Sequence, residues 1–184
     1  LAPGTTAIVA KASKPLALDL EPMVFGNKPT DGGNLILHRK ERDKLLEANP
    51  EAVRFIRRLY GSQELMKGIE RYCLWVGDDE VDQARAVPEI ARRFEAVTRD
   101  RTKEDASDIS RAFADRPHRF LQRPGAANSH TIMIPRPASK DREYLPVDVK
   151  DETNITSSEA FGIFDGAIWQ AALLSSRLHR LWLE

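Results

Sequence analysis

The chain has 184 residues, 41% of them hydrophobic and 30% charged, with 28 basic side chains balanced by 28 acidic ones. That length can bury one good core, and no apolar run is long enough to cross a bilayer. The balanced charge gives no whole-chain argument for a nucleic-acid partner, so any such argument must come from local clustering.

In chain order, residues 1–20 read as an extended lead-in, with Ile8-Val9 a short strand and a turn at Ser13-Lys14-Pro15-Leu16. Residues 22–37 read as strand, tight turn, strand. Met23, Val24 and Phe25 lead into Gly26-Asn27-Lys28-Pro29, and Asp31-Gly32-Gly33 returns the chain to Leu35, Ile36 and Leu37. Asp-Gly and Gly-Gly supply the positive φ angles of primed hairpin turns. Residues 39–48 and 50–60 follow as two short helices. Pro50 suits a first turn, Val53, Ile56, Arg57 and Tyr60 recur at helical spacing, and Gly61 ends the second helix. A turn or short helix covers 64–68, and 71–76 reads as a buried strand. There Cys73, the only cysteine, is a small hydrophobe, which excludes a disulfide framework and a cysteine-rich metal site.

Residues 88–103 form the clearest helix, with Ile90, Phe94, Val97 and Arg101 along one face. Residues 105–114 continue it, Ile109 and Phe113 being four apart. Strand patterns return at 118–122, 131–134, 144–149 and 160–164, and a closing amphipathic helix covers 165–183. Short strands among helices give an α+β fold with a mixed or largely antiparallel sheet. With no signal peptide before Leu1, one domain over 1–184, truncated from a larger chain, is expected.

The usual catalytic signatures are missing. There is no Gly-x-Gly-x-x-Gly, Walker sequence or His-Glu-x-x-His. An Asn/Asp-Pro-Pro-Tyr/Phe motif, a Pro-Asp with Glu/Asp-x-Lys and a Gly-x-Ser-x-Gly elbow are equally absent. His38, His118, His130 and His179 lack ligand spacing. What remains is binding chemistry. Residues 117–142 carry Arg119, Arg123, Arg136, Lys140 and Arg142 against the single acid Asp141, whereas Asp78, Asp79, Glu80 and Asp82 form an acidic run. The block 134–146 reads as strand, polar connection, strand. Its Arg136, Ser139, Lys140, Asp141 and Arg142 offer donors and acceptors for base edges and phosphates. Chemistry alone favours a solvated hairpin with Arg142 and Glu143 paired at the surface. Lys28 and the Gly32-Gly33 amides could hold a phosphate, or the turn could be purely structural, with Asn27 and Asp31 capping it.

The glycine segment closely resembles part of the MmeI-like enzymes, single-chain restriction-modification proteins that methylate adenine in DNA. Ser13-Lys14-Pro15-Leu16, Phe55-Ile56-Arg57 with Gly61-Ser62, Arg71 with Cys73-Leu74-Trp75, the block 134–146, and Leu174-Ser175-Ser176-Arg177-Leu178-His179 resemble that family in the same order. Gln170-Ala171-Ala172 departs from its pattern, where a bulkier aromatic-glycine sequence is expected. The resemblance implies a cytoplasmic, bacterial target-recognition domain that binds duplex DNA. It directs methylation by a methyltransferase domain of the same parent chain, and Arg136, Ser139, Lys140, Asp141 and Arg142 are expected to discriminate bases. Arg119, Arg123 and Lys28 complete the expected DNA-binding set. No cofactor is expected in this segment; S-adenosylmethionine, with magnesium as a further candidate, belongs to the parent enzyme. The rival reading is a protein-protein module, which would show an exposed apolar patch in place of a basic groove.

Overall fold

A computed structural model describes residues 19–137, 139 and 142–182. The expected strand at Ile8-Val9 and the turn at Ser13-Lys14-Pro15-Leu16 lie outside them. The fold is α+β, with two four-stranded sheets. One has the order β1 (Val24–Phe25), β8 (Ala160–Phe164), β5 (His130–Pro135), β6 (Asp148–Asp151), all neighbours antiparallel. The other has the order β2 (Ile36–His38), β4 (Arg71–Leu74), β3 (Ile56–Tyr60), β7 (Asn154–Thr156). It is antiparallel except for the parallel pair β3–β7.

Each sheet carries its own hydrophobic cluster, where the sequence suggests one core. The larger joins Leu37, Leu59, Cys73, Leu74 and Ile155 of the second sheet to Leu45 of α1 (Arg39–Ala48) and Ile90, Phe94 and Val97 of α4 (Pro88–Arg101). The smaller gathers Ile132, Ile134, Ile163 and Ala171, with Phe161 and Leu174 against it. Asn27 ties the two sheets together. Its side chain is fully buried, and its Nδ2 donates to the carbonyls of Thr156, 3.1 Å away, and Gly125, 3.0 Å away.

The expected hairpin over 22–37 does not form. β1 pairs with β8 in one sheet and β2 pairs with β4 in the other. The glycine segment therefore carries the chain between sheets. Gly32 and Gly33 do hold positive φ, 61° and 83°. The turn is locked by the buried Asp31 carboxylate, which accepts from the amides of Gly33, at 3.1 Å, and Leu35. Burial pushes the Asp31 carboxyl up, against those amides and the nearby Arg101 charge.

Residues 50–60 are likewise no single helix. Pro50 opens a 3₁₀-helix over Pro50–Phe55, as its fixed φ allows, but the chain then extends into β3. Pairing with β4 on one side and β7 on the other overrides the local helical spacing. Gly61 starts a helix instead of ending one: it precedes α2 (Ser62–Lys67), its amide donating to Glu64 Oε2 at 2.7 Å, and Gly68 closes α2 at φ 67°. Two short helices complete the middle of the chain, α3 (Val81–Arg85) and α5 (Asp108–Ala112). In α5 Ile109 faces solvent, so it does not extend the apolar face of α4 as its spacing suggested.

Residues 118–122 form no strand. Phe120 plugs the larger core, and only the bridge between Gln122 and Lys28 is ladder-like. The strand expected over 144–149 begins at Asp148. The closing helix is split at Ser175-Ser176 into α6 (Ile168–Leu174) and α7 (Arg177–Trp182). Leu174 reaches the smaller core, but Leu178 and Trp182 are 75% and 76% exposed and do not pack inward. Among the described residues no helix is long and apolar enough to cross a membrane.

Candidate nucleic-acid interface

The site is built outward from the first sheet. β5 is a central strand, and its last residue, Pro135, pairs with Ala160 of β8. The chain leaves the ladder immediately afterwards, at Arg136. The Arg136 amide donates to Ser62 Oγ at 3.1 Å, and Ser62 in turn donates to the carbonyl of Glu159. Glu159 is bound by Arg71 at 2.6 Å, and Arg71 also meets the buried Glu64 at 3.0 Å. The polar connection thus departs from a hydrogen-bonded base. The Arg136 guanidinium reaches the Ser158 carbonyl at 3.3 Å and lies 5.1 Å above the ring of Phe25 on β1.

Phe25 borders a shallow depression formed with Val24, Gly26, Gln122, Arg123 and Pro124. The Arg123 guanidinium lies over the Trp75 indole, 3.7 Å from its centroid. Burial lowers its pKa, and the neighbouring Arg119 charge pushes the same way. Lys28 joins through the backbone: its amide donates to Gln122 at 2.9 Å and its carbonyl accepts from Gln122 at 3.0 Å. Arg123 and Arg136 therefore both flank Phe25, and Lys28 is exposed on the segment just after it, bridged through its backbone to Gln122.

The other candidates stand apart. Arg119 turns to the acidic run, where Asp78 takes it at 3.1 Å through one oxygen and His118 at 2.7 Å through the other. The His118 contact, followed by Arg119, holds the Asp78 carboxyl below its ordinary range. Ser139 and Arg142 are exposed on the connection, where the Arg142 amide donates to the Ser139 carbonyl at 3.2 Å. The Arg142 carbonyl accepts from Arg180 of α7, and Glu143 pairs with Arg177 at 3.2 Å. The surface ion pair therefore joins the connection to α7, where the sequence suggested Arg142 and Glu143. Lys140 and Asp141 lie outside the described residues. In the glycine turn the Gly33 amide is already taken by Asp31. A β-carbon at Gly32 would also collide with the Asp100 side chain.

Sequence reasoning missed Phe25 and Gln122 as members of this surface. Phe25 sits in the apolar triplet Met23-Val24-Phe25, with nothing local to mark its ring as outward-facing. Only the pairing of β1 at the edge of the first sheet shows it.

A family model, the MmeI target recognition domain, matches residues 3–184. The chain belongs to that family. This target recognition domain is 28% identical over all 184 residues to DNA methyltransferase A of Bacillus subtilis (strain 168), of which it covers 21%. It also superposes with a TM-score of 0.84 and 27% identity on the Type IIL restriction-modification enzyme MmeI, solved in complex with DNA. That match covers 97% of this chain and 24% of the enzyme's. The chain thus spans about a fifth to a quarter of the length of these relatives.

Proposed function

We propose that this chain is a single target-recognition domain that reads duplex DNA for an adenine methyltransferase whose catalytic domain lies elsewhere in the parent protein. The observation that carries the reading is the flanking of Phe25 by Arg123 and Arg136, next to the connection that starts at Arg136, with exposed Lys28 on the adjoining segment. Cations grouped on one surface can contact a phosphate backbone, while side chains on a connection leaving a sheet can enter a groove. Ser139, Lys140, Asp141 and Arg142 are the base-discriminating candidates; Lys28 and Arg123 act on phosphates. Arg119 contributes only when it leaves Asp78. S-adenosylmethionine, and magnesium where the parent cleaves DNA, serve chemistry outside this domain. The reading places the protein in the cytoplasm with the cell's DNA.

A fluorescence-anisotropy titration of duplex DNA over a range of salt tests it. With three to five phosphate contacts, the slope of log affinity against log salt should be about −3 to −5. No duplex binding at low salt would overturn the reading.

One observation also favours a protein contact on a different surface. Ile168, Trp169, Leu173, Leu178, Leu181 and Trp182 leave the outer side of α6 and α7 apolar and exposed. An exposed apolar cluster of that kind marks a docking surface. We assign it to the remainder of the parent chain, with the basic face kept for DNA.

A further inference from the structure

Phe25 is 55% exposed on a strand of two residues, yet it is firmly mounted. Its backbone pairs with Phe161 of β8, and the two rings lie 4.9 Å apart at 39°. The next residue, Gly26, packs its backbone against the Ser157 and Thr156 carbonyls, where a β-carbon would collide. Asn27 beyond it is the fully buried link between the sheets. A large apolar ring is thus held outward on a rigid support, with Arg136 and Arg123 beside it and exposed Lys28 on the segment that follows. No acidic residue lines the depression beside it. Glu159, which shares the adjoining depression with Arg136, is already held by Arg71 at 2.6 Å, which leaves the ring beside the guanidiniums of Arg136 and Arg123. A polyanion with apolar surface between its charges matches both, and duplex DNA has that chemistry.

We propose that Phe25 is a DNA-contacting residue, pressing its ring against base edges or deoxyribose between the phosphates held by the surrounding cations. This rests on the DNA-recognition reading above and adds to it an uncharged contact. Because the ring is already fixed, little side-chain freedom is lost when it binds. An uncharged contact also releases no counterions, which separates it from its neighbours.

The test uses the full-length protein and a duplex containing its methylation site, with affinity followed across salt concentrations. Phe25→Ala should weaken binding about five-fold or more at every salt concentration, leaving the salt slope unchanged. Lys28→Ala should instead reduce the slope by about 1. Phe25→Leu keeps apolar bulk but loses the ring face under Arg136, and should retain most of the affinity. If Phe25→Leu loses as much as Phe25→Ala, the ring only supports Arg136 and the proposal fails. A benzophenone amino acid replacing Phe25 should photo-crosslink to the duplex, which keeps the question decidable even if Phe25→Ala folds poorly. Wild-type binding that Phe25→Ala leaves intact, or an absent crosslink in a bound complex, would overturn this contact alone. A wild-type protein that binds no duplex would overturn the functional reading and the contact with it.

Discussion

Arg101 shows how a charged side chain can serve the fold more than the surface. It is fully buried, and its guanidinium donates to five backbone carbonyls at 2.7–3.1 Å: Pro29, Thr30, Phe113, Arg116 and Arg119. Every donor is used, a match that only a planar five-donor fork can make. These carbonyls lie in the segment following Lys28 and in the one preceding Gln122, so Arg101 fastens both approaches to the basic face. Burial lowers its pKa, opposed by Asp31 and Asp100. Arg101→Lys and Arg101→Met should each destabilise the protein by about 3 kcal/mol or more in urea unfolding, since several buried carbonyls lose their donor. An unchanged midpoint for Arg101→Lys would contradict this role.

Asp165 gives the pH dependence at the same scale. Its carboxylate accepts from the amides of Asn128 at 2.9 Å, Ser129 at 2.8 Å and His130 at 3.3 Å. The Asn128 amide leads the causes that hold its carboxyl below the ordinary range. The folded pKa being the lower one, this stabilisation is complete above the unfolded carboxylate value and is lost as pH falls through the folded one. Residue 165 has a φ of 53°, which asparagine tolerates well. Asp165→Asn should therefore destabilise at neutral pH, with the gap to wild type narrowing below about pH 3.9. Unfolding curves at both pH values check it, and a gap that widens in acid would contradict the sign.

At the scale of elements, legibility in the sequence followed the range of the interactions. α1 and α4 were readable because helical periodicity and Pro88 are local signals, and Ile90, Phe94 and Val97 are buried as expected. β8 was readable from its apolar run. The hairpin over 22–37 was not, because whether two flanking strands pair with each other or with distant strands depends on β4 and β8. β7 went unnoticed: its three residues gain strand character only beside β3. Cys73 was correctly placed inside, where burial pushes its thiol far up. α6 and α7 were legible as amphipathic, but the outward direction of their apolar side was not. That direction supports a prediction. Leu178→Glu with Trp182→Glu should change the stability of the 184-residue chain by about 0.5 kcal/mol or less, as surface substitutions do. If the rest of the parent chain covers that face, the same pair should lower the melting temperature of the full-length protein. Equal melting of the full-length variant and wild type would remove the docking role.

At the scale of the whole molecule, zero net charge conceals a division of labour. Arg93 and Arg101 are turned inward onto carbonyls and carboxylates, and Arg119 is held by Asp78. Arg123 and Arg136 instead flank Phe25 at the edge of the first sheet, with exposed Lys28 nearby, where charge counts along the chain could not place them together. The family was legible from ordered motifs spread along the chain, and the family model covers residues 3–184. Under the proposed function, sequence choice is set on the connection beyond β5 and affinity on the surrounding cations. Methylome sequencing of cells expressing full-length variants tests it most directly. Lys140→Ala and Arg142→Ala should relax or shift the methylated motif, a lost bidentate base contact costing ~1–3 kcal/mol at one base pair, while Lys28→Ala should lower methylation uniformly with the motif intact. Unaltered motif selectivity in both connection variants would contradict it and move the recognition residues elsewhere in the chain.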